Sequence, residues 1–242
     1  MKQQVVGILF ALVAISNAAV KVPVTIYYES LCPDSAALIT EKIHPVLQDE
    51  LKEHVDITWV PFGKSEMYTQ GADVEFTCHH GPNECYGNKV HACAINIIQA
   101  NSYQAEFTRE SLTLDFITCL MKVGKNFPDN VYPGAKCARE NHINTWANIE
   151  TCANSTEGSK LLQEQGKMTN AFQKPLTSVP TVVFKHVFDN DVQQMALKDF
   201  KTTLCGYIME PKPKTCMPVN SAAGLSFIPF LGAALYAVSR LV

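Results

Sequence analysis

The chain has 242 residues with 20 basic and 23 acidic side chains, a net charge of −3. That near-balance argues against a nucleic-acid binder, because no basic excess exists to neutralise phosphates. With 47% apolar and 18% charged residues and ordinary Gly and Pro content, disordered, collagen-like and low-complexity classes are excluded.

Met1 to Gln4 carries one basic residue, Val5 to Ile15 is uncharged and apolar, and Ser16 and Ala18 are small. This is the pattern of a secretory signal peptide over residues 1–18, cleaved after Ala18. Passage through an oxidising compartment makes disulfides the default use of the nine cysteines, with one left over.

Val22 to Tyr28 alternates and is rich in β-branched and aromatic residues, which predicts a strand. Ser30 to Ser35 breaks it. Ala36, Ile39, Ile43, Val46, Leu47 and Leu51 then recur at helical spacing, with Pro45 expected to kink the helix. Val55 to Val60 is a second strand, parallel to the first through a right-handed crossover. Phe62 to Lys89 reads as loop. Helices are predicted over Val90 to Gln99, Phe107 to Lys122, Ala135 to Ile149 and, more weakly, Gly158 to Gln165. A strand follows Pro180 as far as Phe184, Asp189-Asn190-Asp191 signals a turn before a further strand, and Met195 to Leu204 closes as a helix. One domain from Val20 to Pro218 is expected, without repeats or an internal linker. Ala222 to Val242 is a hydrophobic tail with one charge, Arg240. It is open between a membrane span, a GPI-attachment signal and a helix docked on the domain. Asn154-Ser155-Thr156 is an N-glycosylation acceptor and is expected on the surface.

Three motifs carry chemistry. Cys32-Pro33-Asp34-Ser35 falls where the first strand gives way to a helix, so Cys32 faces unpaired N–H groups at the positive end of the helix dipole. Both favour thiolate over thiol, whereas Asp34 opposes it. An ordinary structural cysteine is the competing reading. Val179-Pro180 opens the third strand and is placed to lie against the first βα turn, where the residues alone favour a trans bond. The third motif runs from Cys78 to Cys93 and contains three cysteines, three histidines and a glutamate. The compartment and the cysteine spacings argue against zinc, so His79, His80 and His91 are expected as loop or structural residues and no metal is expected. Trp59 and Trp146 read as core, and His44 as surface.

Cys78, His80-Gly81, Glu84-Cys85, Asn88 and Cys93 fit every fixed position of a known signature. By it the chain resembles the gamma-interferon-inducible lysosomal thiol reductase (GILT) family, over nearly the whole mature chain as far as Cys205. The resemblance implies an α/β, thioredoxin-like fold, with a helical, disulfide-rich insertion between strand 2 and a cis-proline strand. It also implies disulfide reductase activity on disulfide-bonded polypeptides, in a lysosomal or extracellular setting. Under it Cys32 takes the place of the attacking cysteine and Pro180 that of the cis-proline facing the substrate. No metal or organic cofactor is implied; the reductant would be a small thiol such as glutathione or cysteine. Cys78, Cys85, Cys93, Cys119, Cys137, Cys152, Cys205 and Cys216 remain as disulfide candidates, and only Cys205 with Cys216 suggests a pair by proximity.

The family's second active-site cysteine is Ser35 here. A serine hydroxyl cannot attack sulfur to resolve a mixed disulfide. Three readings follow: a monothiol resolved by an external thiol, an isomerase or trap, and a catalytically inactive secreted or surface-tethered binding module that keeps the fold.

Overall fold

The computed structural model describes residues 20–71, 73–100, 104–123 and 132–217. The predicted leader and hydrophobic tail lie outside them. Among the described residues, no helix is long and apolar enough to cross a membrane.

Strand β1 (Val22–Tyr28) is the middle of a three-stranded sheet. It pairs in parallel with β2 (Val55–Pro61), Val22 opposite Val55 and Tyr28 opposite Pro61. On its other side it pairs antiparallel with β5 (Thr181–Phe184), Tyr27 opposite Thr181. Flanked on both sides, β1 is buried almost throughout. Its pleat sends Val22, Val24, Ile26 and Tyr28 into the main core, where Trp59, Val182, Phe184, Phe200 and Leu204 meet them. Tyr27 turns to the opposite face and stacks on Phe172 with ring centroids 4.7 Å apart.

The helical crossover is less regular than its apolar spacing predicts. It runs as α1 (Pro33–Ala37), a π-helical stretch Leu38–Ile43, and α2 (His44–Val46), followed by a 3₁₀ segment Glu50–His54. Pro45 has no N–H to donate, and the chain widens ahead of it, the His44 N–H reaching back to the Ile39 carbonyl. His44 is not the free surface residue expected: its Nε2 lies 2.9 Å from Asp115 Oδ1, and both side chains are about three-quarters buried.

The stretch Phe62–Lys89 is not a loop. It contains a hairpin of β3 (Glu66–Gln70) and β4 (Asp73–Thr77), and the first half of α3 (Pro82–Ile97). The insertion continues with α4 (Arg109–Val123), α5 (Gly134–Glu140), α6 (Trp146–Ala153) and α7 (Thr156–Phe172). Helix α4 is a wall shared by two cores: Leu114, Ile117 and Met121 face the sheet, while Leu112, Phe116 and Leu120 face Val90, Ile98, Ala138 and Ile149. The single helix expected over Ala135–Ile149 breaks into two at Asn141 to Thr145, where His142 takes a left-handed φ of 59°. Trp146, expected in the core, is only partly buried and lies against Gly134. Trp59 is buried.

Asp189-Asn190-Asp191 does not turn between strands. The Asp189 carboxylate accepts from the Asp191 and Val192 amides at 2.8 and 3.0 Å and starts α8 (Asn190–Lys198). Asp199 caps α9 (Phe200–Tyr207) in the same way through the Thr202 amide. The further strand expected near this turn is reduced to one bridge, Phe184 to Val187. The resulting βαβ unit, helical insertion, antiparallel β5 and closing helices form a thioredoxin-like α/β fold.

Candidate active site

Cys32 is the N-cap of α1, and its sulfur accepts from the Ser35 amide at 3.5 Å. Its own N–H donates to the Glu29 carbonyl at 3.3 Å. Ser35 is fully buried, and its hydroxyl accepts from the Glu29 amide at 3.5 Å. All eight other cysteines are paired, as Cys78–Cys85, Cys93–Cys152, Cys119–Cys137 and Cys205–Cys216, which leaves Cys32 as the free thiol. It is only 5% exposed.

The Val179–Pro180 peptide is cis. Because Tyr27 pairs with Thr181, Pro180 stands at the end of the sheet where the chain leaves β1 for Cys32. Gln193 of α8 fixes it there. Its amide donates to the Pro180 carbonyl at 2.9 Å and its carbonyl accepts from the Val182 amide at 2.7 Å, all in buried surroundings.

Residues of the signature brace the loop that carries Cys32. The Cys78–Cys85 disulfide closes the turn, Gly81 adopts a φ of 88° as N-cap, and Pro82 opens α3. Glu84, Asn88 and His91 then fall at i, i+4 and i+7 on one face of that helix. The Asn88 Oδ1 accepts from the Ser30 amide at 2.9 Å, and the Glu84 carbonyl accepts from the Ser30 hydroxyl at 3.2 Å. His91 Nδ1 meets the Tyr28 hydroxyl at 2.9 Å. Gly87 lies between them, where a Cβ would stand 2.4 Å from Ser30 Oγ, so α3 approaches the loop this closely only without a side chain there.

Glu29 is buried, and its Oε1 accepts from the Lys64 amide at 2.7 Å. Its Oε2 lies 3.3 Å from Nδ1 of both His79 and His80. Glu84 accepts from the His80 amide at 3.0 Å through Oε1, and its Oε2 is 2.6 Å from His80 Nδ1. Burial raises the Glu84 carboxyl above the usual range and Glu29 pushes it the same way, while the bonds from His80 oppose them. Glu29, His79 and His80 together form a group able to hold a metal ion.

Burial pushes the His91 ring down to about 3. The unfolded chain takes up this proton near pH 6.5, so the native state refuses what the unfolded state accepts. The contribution is therefore intact above about pH 6.5 and is lost as pH falls through the window toward about 3, with a slope of about 1.4 kcal/mol per pH unit. Urea unfolding at neutral and mildly acidic pH is expected to show this loss, and His91→Gln to flatten it. An equal slope in the variant would assign the loss to other groups.

Cys32, Ser35, Pro180 and the signature are readable from sequence, whereas Glu29, Ser30, Gly87 and Gln193 are not. The spacing of Glu84, Asn88 and His91 was the available signal for a polar helix face. Asn154, the acceptor asparagine, is exposed at the end of α6, where its Nδ2 donates to the Glu150 carbonyl at 2.9 Å. A cavity of about 400 Å³ lies between β2, α4 and α7, and none of Cys32, Ser35 or Pro180 lines it.

Residues 23–141 match the family model described as gamma interferon inducible lysosomal thiol reductase (GILT). The chain is 61% identical over 212 residues to GILT-like protein 1 of Drosophila melanogaster, covering 88% of this chain and 85% of the relative. It is 50% identical over 222 residues to a gamma-interferon-inducible lysosomal thiol reductase-like protein of Anopheles gambiae, covering 92% and 90%. Among solved structures, oxidised BdbD of Bacillus subtilis is similar at a TM-score of 0.46 and 13% identity, over 76% of this chain and 90% of that one. With identity this high over most of both chains and the signature complete from Cys78 to Cys93, the chain belongs to the GILT family.

Proposed function

We propose that this protein is a thiol–disulfide oxidoreductase for disulfide-bonded polypeptides, with Cys32 as a monothiol nucleophile. The observation that carries the reading is the single free thiol of the chain, held as a helix N-cap beside the cis Pro180 strand in a member of a thiol reductase family. The Cys32 thiolate attacks one sulfur of a substrate disulfide. A mixed disulfide forms and the other substrate sulfur leaves as thiolate. Ser35 cannot displace the bound substrate, so an external small thiol does. A first equivalent opens the mixed disulfide and a second completes exchange. Substrate disulfide plus two small thiols become substrate dithiol plus one small-molecule disulfide.

The binding-module reading rests on Ser35 alone and is less well supported. The predicted leader and the four disulfides support a secretory-pathway protein, with a lysosomal or extracellular destination and glycosylation at Asn154 as the finer proposals. Attachment to a membrane would depend on the tail beyond the described residues.

The test is alkylation of Cys32 in the mature protein at mildly acidic pH, followed by insulin reduction with and without glutathione. Cys32 is expected to label faster than free cysteine, and turnover is expected only with glutathione. Labelling no faster than free cysteine would remove the catalytic reading.

A further inference from the structure

The cysteines of the signature turn are committed to a disulfide, but its histidines meet a carboxylate that is 50 residues away in sequence. Glu29 Oε2 lies 3.3 Å from His79 Nδ1 and 3.3 Å from His80 Nδ1, and the three atoms all lie within 4.8 Å of one another. A tetrahedral ion held at about 2.0–2.1 Å by nitrogen and oxygen sets neighbouring ligand atoms about 3.3–3.4 Å apart. The two contacts to Glu29 already have that spacing.

The surroundings favour a cation. The Glu29 and Glu84 side chains are both fully buried, and their ion-pair partners among the described residues are His79 and His80, with no lysine or arginine. Buried carboxylates call for a positive partner. The Lys64 amide holds Glu29 by Oε1, which leaves Oε2 toward the rings. The His80 amide holds Glu84 by Oε1, which leaves Oε2 beside His80. His79 is half exposed, so the position has a path to solvent.

We propose that Glu29, His79 and His80 form a binding site for a zinc-class divalent cation, with the fourth position open to water. Two histidines and a carboxylate are a ligand set that zinc accepts, with both rings offering Nδ1 and carrying their proton on Nε2. Because Glu29 also receives the Cys32 amide on its carbonyl, an ion there fixes the loop three residues ahead of the thiol. The site rests on this geometry and stands whether or not Cys32 turns over substrate.

The test uses the full mature chain and Zn²⁺ alone, by calorimetry and by thermal unfolding. Expected are one ion bound per chain, a raised melting temperature, and the same binding in Cys32→Ser. His79→Ala removes a half-exposed side chain and leaves the Glu84–His80 contact, and it is expected to weaken binding at least about tenfold and abolish the thermal shift. Co²⁺ in place of Zn²⁺ is expected to give the intense visible bands of a tetrahedral site in the wild type and not in His79→Ala. Absence of stoichiometric binding, equal binding in His79→Ala, or loss of binding in Cys32→Ser would each overturn the proposal.

Discussion

Ser35→Cys is expected to convert a thiol that depends on an outside partner into one that resolves its own intermediate. In a single turnover with insulin and no other thiol, the pre-reduced wild type should stop at a mixed disulfide through Cys32. The variant should release substrate dithiol and end with Cys32 bonded to the introduced thiol, at least about 100-fold faster than any release from wild type. That factor is a modest share of what intramolecular attack supplies over a bimolecular step. The geometry favours the outcome, because the Ser35 amide already reaches the Cys32 sulfur at 3.5 Å on the first turn of the helix. The serine side chain is fully buried, so sulfur in place of oxygen is a small change in a fixed position. Mass spectrometry after acid quench separates the two species. Persistence of the mixed disulfide in Ser35→Cys would show that the loss of self-resolution lies elsewhere than residue 35.

The second large effect concerns stability. Replacing Cys93 and Cys152 together by alanine is expected to cost about 4 kcal/mol, because this bridge spans 59 residues and restrains much of the unfolded chain. The melting temperature should fall by about 10 °C. The bridge ties α3 to α6, and both sulfurs sit in the insertion's own core beside Ile149 and Ala153. Removing Cys205 and Cys216, only 11 residues apart, should cost about 3 kcal/mol by the same loop argument. Calorimetric scans of the two double variants check the order. Equal losses would indicate that packing around the sulfurs outweighs loop length.

The strands of the sheet were legible because β1 and β5 are buried, β2 mixes buried with exposed positions, and all three are dense in β-branched residues. The hairpin was not. Its exposed face carries Glu66, Tyr68 and Glu75, while Met67 packs with Phe62 against Gly166, Phe76 packs against Phe62, and Val74 is partly buried on the same face. The first turns of α3 were hidden for a different reason. Their buried face is Glu84, Gly87, Asn88 and His91, which meets the polar loop of Ser30 and shows no apolar period. Asp189 reads as a turn former and Asp199 falls inside the helix expected over Met195 to Leu204, and only their amide partners show that each starts a helix. In the site, Cys32, Ser35 and Pro180 could be named from local pattern. Glu29 and Gln193 could not, since each acts through partners brought together by the sheet register and by helix packing.

The single bridge that stands where another strand was expected has a bearing on solubility. An outermost strand with free amides and carbonyls is a template on which a second molecule can build a ladder. Here that strand is only four residues long. Lys185 and His186 follow at once with φ of 49° and 62°, turning the backbone out of the pleat. The charged lysine and the left-handed corner leave too short a run for another chain to register against. The exposed Val187 and Phe188 lie beyond the corner. Val187 closes the one bridge to Phe184 and Phe188 packs edge-on against Phe172 with ring centroids 5.6 Å apart, so this margin of the sheet resists edge-to-edge association.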